Sequence, residues 1–173
     1  MNPSKTISSA LFLVSAVLML AASQPRLLAQ TRSVQVDKVD PGDVKIEPAF
    51  TVAIYENLLE ELSKTKQFKQ VFRSGDRNAS GPDLLILKIK VQKYTPGSET
   101  RRAVTTVSGA TKLNVRSQLC SPDGQVVLER VVDGNVRFFG GNLRATHNLA
   151  HNVAEAIKKS DLTGPPSSVR EKK

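Results

Sequence analysis

Along residues 83–94, Leu85, Leu87, Ile89 and Val91 alternate with Lys88, Lys90 and Gln92. A period of two turns one face of a strand toward a core and the other toward water. The spacing predicts a second long strand over 103–119, with Val107, Leu113, Val115 and Leu119 on one side and Lys112, Asn114, Arg116 and Gln118 on the other. Ser121-Pro122-Asp123-Gly124 reads as a tight reversal, because Pro presets one φ and Gly accepts a positive one. A return strand over 125–138 carries Val126, Leu128, Val132 and Val136 in phase. Arg130 interrupts that apolar side, and the interruption predicts a twist or bulge near Asp133-Gly134.

The pattern changes elsewhere. Phe50, Ile54, Leu58 and Leu62 recur every four positions behind Pro48, which predicts an amphipathic helix from Pro48 to about Lys66. Leu143, Thr146, Leu149, Ala150, Val153 and Ile157 predict another from about Leu143 to Lys159, with two lysines suited to its negative end. Val34 and Val36 mark a short strand over 33–39, followed by a turn at Asp40-Pro41-Gly42-Asp43. Residues 67–72 suit one more short strand, and residues 74–82 are loop by composition. Strands joined by tight turns, with two one-sided helices, make an α+β two-layer sandwich: an antiparallel meander sheet with both helices on one face.

Ahead of this domain, Lys5 precedes an apolar run from Ile7 to Ala22, and no acidic residue appears before Asp37. That is the layout of a cleaved secretory signal, too short for a spanning helix. Residues 1–29 are therefore expected to be a signal peptide, with cutting after Ser23 or Ala29. Residues 30–162 form the single domain and 163–173 a disordered tail rich in Gly, Pro, Ser and charge. The expected location is periplasmic or secreted, with no membrane span left after processing.

Charge then narrows the partners. The chain carries +9, and only Lys5 and Arg26 leave with the leader, so the basic excess belongs to the domain. Outside the cytoplasm the available polyanions are lipid headgroups, lipopolysaccharide and acidic glycans rather than nucleic acid. Lys88, Lys90, Lys112 and Arg116 should share the open face of adjacent strands as an anion-binding face. Aromatic residues make up 5% of the chain and Trp is absent, which weighs against carbohydrate or single-strand readers that stack their ligands on exposed rings. The expected partner is an envelope protein, or an anionic envelope component, held through a sheet edge or this basic face.

The segment 62–71 closing the first helix, the strand 84–91, Gly97 with Arg101, Gly109-Ala110, the strand 113–119 and Gly124-Gln125-Val126-Val127 together resemble a bacterial family of exported proteins of unknown function, the domain family numbered forty-four ten. The resemblance covers roughly residues 33–160. Where family members often carry an acidic residue and Thr-Gly before the return strand, this chain has Ser121-Pro122-Asp123-Gly124. The resemblance implies an envelope location and carries over no catalytic or binding residue.

Catalytic signatures are sparse. His147 and His151, four apart on the last helix, could share a metal, but Asn148 stands where a zinc protease needs its Glu. They carry the alternative reading, a small hydrolase or metal-dependent enzyme. No Gly-x-Ser-x-Gly elbow occurs, and Gly140-Gly141 lacks the Gly-Lys-Ser/Thr of a phosphate loop. The single cysteine, Cys120, aligns with the buried face and reads as a small hydrophobe. No cofactor, metal or catalytic residue is implied, and a non-enzymatic binding module is the expectation.

Overall fold

A computed structural model of the chain describes residues 32–98, 100–101, 109–136, 141–160 and 162. The expected leader, the expected tail, the 103–108 part of the second long strand and the 137–138 end of the return strand lie outside the described residues. The elements are β1 (Ser33–Val36), α1 (Pro48–Thr65), β2 (Val71–Arg73), β3 (Leu84–Thr95), β4 (Thr111–Cys120), β5 (Val126–Val136) and α2 (Arg144–Lys158). The fold is α+β and has two layers, as the pattern predicts.

The sheet is mixed rather than a pure meander, with strand order β2-β1-β3-β4-β5. β3, β4 and β5 pair antiparallel, joined between β4 and β5 by the 121–124 turn, where Gly124 takes φ +88° and donates its N–H to the Ser121 carbonyl. β1 inserts between β2 and β3 and runs parallel to both. Parallel neighbours need a long crossover, and α1 supplies it between β1 and β2. Past β1 the backbone stays beside β3, with Asp40 bonding to Ile89 and Val91.

Both helices cover one face. Ile54, Leu58 and Leu62 of α1 and Leu149, Val153 and Ile157 of α2 bury against Leu87, Ile89, Val115 and Leu119 of the sheet. Each such side chain contributes roughly 1.5–3 kcal/mol when fully removed from water. The helices also touch each other: the Asn57 amide donates to Thr146 Oγ1 at 2.8 Å, and just past the end of α1 Gln67 Nε2 donates to the Lys158 carbonyl at 3.0 Å. These contacts advance together along the two helices, so α1 and α2 run parallel.

The bulge expected at Asp133-Gly134 is elsewhere. The β4–β5 register runs unbroken through Asn114↔Asp133 and Leu113↔Gly134 and slips instead between Leu119 and Cys120, where Leu128 and then Val126 are the partners. Val126, expected in phase with the core, is exposed in consequence. Arg130 keeps the core-side phase opposite Ser117 but stays exposed, its guanidinium donating to the Glu129 carbonyl at 2.8 Å. Gly134 serves a different end. A Cβ there would overlap the Ala145 carbonyl and the Leu149 Cβ, so its missing side chain lets α2 settle onto β5.

Candidate anion-binding face

With α1 and α2 on one side, the opposite face of β3–β4–β5 presents the polar half of each alternating pattern. Cross-strand register arranges it in rows, since directly paired residues point the same way. Lys88 lies opposite Gln118 and Glu129, Lys90 opposite Arg116 and Val131, and Lys112 opposite Thr95 and Asn135. All four cations expected here are exposed on this face. Lys88, Lys90 and Arg116 are neighbours, whereas Lys112 stands two rows away.

A fifth cation joins them. Strict alternation sends Lys93 to the core side, but the register shifts between Val91 and Lys93, setting Lys93 opposite Asn114 on the open face. Tyr94 then moves to the core side, opposite Leu113, with its ring centroid 5.0 Å from that of Phe50. A lysine in the apolar phase followed by an aromatic in the polar phase is the sequence signal for this slip. Lys93, Lys112, Asn114, Asp133 and Asn135 line a shallow hollow of about 470 Å³.

Carboxylates bound the stripe on both sides. Asp40 Oδ2 lies 3.8 Å from Lys90 Nζ on the β1 side. On the β5 side Glu129 Oε1 lies 3.6 Å from Arg116 Nε. The Gln118 amide donates to Glu129 at 2.6 Å and the Asn114 amide to Asp133 at 2.8 Å. The ion pairs of Lys90 and Arg116 are long and largely exposed, so they carry little energetic weight. Their effect is to orient the acids toward the rim. Among the described residues no ion pair engages Lys88, Lys93 or Lys112.

The sheet edge, the other expected docking element, is largely occupied. Asn148 and Asn152 of α2 donate side-chain amides to the carbonyls of Asn135 and Asp133 at 2.8 and 2.7 Å, and Arg130 takes that of Glu129. Three outward carbonyls of edge strand β5 therefore already have donors, which discourages pairing with another strand. At the far edge β2 has three residues.

His147 and His151 sit in a second hollow of about 460 Å³ with Asp133, Asn135, Asn148 and Asn152. His151 Nδ1 is 3.2 Å from Glu61 Oε2. Glu61 is buried and reaches Lys64 Nζ at 2.8 Å. The hydrogen bond from Lys64 holds its carboxyl below the usual range, against the opposing pull of burial, and His151 adds to the lowering. Among the described residues, no group of three or more His, Cys, Asp and Glu side chains is gathered to hold a metal. Cys120 is buried, as expected, but on the side opposite the main core, paired with Ile86. Burial pushes its thiol up, and nearby Lys88 partly offsets that.

No protein-family model matches the chain, and no curated protein matches it in sequence. Its fold is similar to that of PelC from Paraburkholderia phytofirmans, a dodecamer, with 14% identity, a TM-score of 0.55, and coverage of 72% of this chain and 85% of that one. A point variant of the PelC dodecamer superposes with a TM-score of 0.53 at 14% identity, covering 72% and 84% of the two chains. At that identity the likeness is one of fold. Among the described residues, no helix is long and apolar enough to cross a membrane.

Proposed function

We propose that this chain is a non-catalytic binding module of the bacterial envelope that takes up an anionic component on the basic face of its sheet. The observation that carries the reading is the placement of Lys88, Lys93 and Lys112 on the face that neither α1 nor α2 covers, unpaired among the described residues. The donors already placed on the carbonyls of edge strand β5 favour this face over the edge. The acid-free leader and the resemblance to the exported family forty-four ten support an envelope location, periplasmic or secreted.

The alternative, hydrolysis or metal chemistry at His147 and His151, has less behind it. His151 is turned toward Glu61, and the residues beside the pair are the amides Asn148 and Asn152, which here serve the β5 edge.

The test is a titration of lipopolysaccharide with the native protein and with the Lys88→Glu, Lys90→Glu, Lys112→Glu, Arg116→Glu variant. All four side chains are exposed, so the variant should fold, which circular dichroism checks. The expected outcome is salt-sensitive binding that falls by about tenfold or more on charge reversal. Equal binding by both proteins removes the basic face from the function. PelC is described as a dodecamer, so light scattering in the same samples reads the number of copies per particle.

A further inference from the structure

The shape of the basic face narrows the class of anion. Its cations occupy two adjacent strands, Lys88, Lys90 and Lys93 on β3 and Lys112 and Arg116 on β4, which lie about 4.8 Å apart. Along the strands the stripe runs from the Gln118 row to the Lys112 row, six residues or roughly 20 Å. On β3 the basic side chains fall in successive rows, about 7 Å apart. Acids border it on both long sides, Asp40 toward β1 and Glu129 and Asp133 on β5. The positive surface is long and narrow.

A flat bilayer fits such a surface badly. Docking this face onto anionic headgroups presses Glu129 and Asp133 against like charge along with the lysines, and like charges set against each other cost binding. A single extended polyanion can lie on the cations and leave the flanking carboxylates in water. Among the described residues these rows carry no aromatic ring, which removes stacking as a source of affinity for bases and for sugar rings alike and leaves recognition to charge and hydrogen bonding. What alternates with the cations is amide: Asn114, Gln118 and Asn135. Asn114 and Gln118 use their N–H groups on the rim acids, which leaves their carbonyl oxygens as acceptors for hydroxyl groups.

Resting on the anion-binding reading above, we infer that the stripe seats one extended chain of an acidic polysaccharide, laid along β3 and β4. Its carboxylates meet Lys88, Lys90, Lys93, Lys112 and Arg116, and its hydroxyls meet the amides.

The experiment compares three probes at equal charge concentration: a length series of oligouronates from alginate, vesicles of phosphatidylglycerol in phosphatidylcholine, and oligothymidylate. The oligouronates should bind most tightly, gaining affinity with length until they span about 20 Å, and about tenfold more tightly than the vesicles. A Lys93→Glu variant should lose severalfold for the oligouronate, and a Glu129→Gln, Asp133→Asn variant should gain more for the vesicles than for the oligouronate. Vesicles or oligothymidylate binding as well as the oligouronates, or affinity indifferent to oligouronate length, overturns the inference. If lipopolysaccharide binding still falls on charge reversal in that event, the broader reading stands and only the polysaccharide is lost. If neither lipopolysaccharide nor the oligouronates bind, both fall.

Discussion

Leu149 of α2 lies so close over Gly134 of β5 that the first carbon of any side chain at position 134 would overlap its Cβ. Gly134 does not have the positive φ that often calls for glycine, so space alone demands it. Substitution Gly134→Ala should therefore destabilise the fold by about 1–3 kcal/mol through overpacking. Leu149→Ala should not rescue it, because the Ala145 carbonyl and the Leu149 backbone nitrogen also stand in the way. Urea unfolding of the three proteins decides this, and an alanine variant as stable as the native chain would show that the helix has room to lift.

Asn148 and Asn152 should guard the β5 edge as well as tie α2 to it. Replacing both with Ala is expected to cost roughly 0.5–1.5 kcal/mol per lost hydrogen bond and to leave the Asp133 and Asn135 carbonyls free for another strand. Sedimentation at rising concentration should then show more association than the native chain does. A double variant that associates no more than the native chain means the amides serve only the helix.

Acid sensitivity should report on Glu61. Its folded-state pKa is lowered, first by the hydrogen bond from Lys64 and further by His151. A lowered carboxylate pKa contributes stability that is present above the unfolded value and is lost as pH falls through the folded one. The stability gap between native protein and Glu61→Gln should therefore shrink below about pH 4.3, the ordinary range of a glutamate. A gap unchanged between about pH 3 and 7 would mean that Glu61 contributes through packing rather than charge.

Cys120 should resist alkylation in the native protein. It is buried, and burial raises its thiol pKa, which keeps the reactive thiolate scarce. Cys120→Ala should be tolerated better than Cys120→Ser, which buries a hydroxyl at a cost of about 1–3 kcal/mol unless it finds a partner. Rapid native labelling would show that the sheet end opens readily.

Much of the candidate face is legible without a structure. Lys88, Lys90, Lys112 and Arg116 fall in the polar phase of two alternating strands, and a period of two admits only one face for them. Lys93 is not legible by that rule, because one residue of slip after Val91 reverses the phase and exchanges it with Tyr94. The rim acids are also hidden, since Asp40 and Glu129 reach Lys90 and Arg116 only through pairing between separate strands.

What the order of residues determined by itself is local: the two helices from their apolar stripes, the long strands from their alternation, the 121–124 turn from Pro and Gly, and hence the α+β class. The insertion of β1 between β2 and β3, the slip at Leu119/Cys120 and the approach of α2 to Gly134 were decided only in three dimensions. Neighbours distant in sequence are selected by the joint packing of the core and the hydrogen-bond demand of every strand edge, and no single window of the chain contains that information.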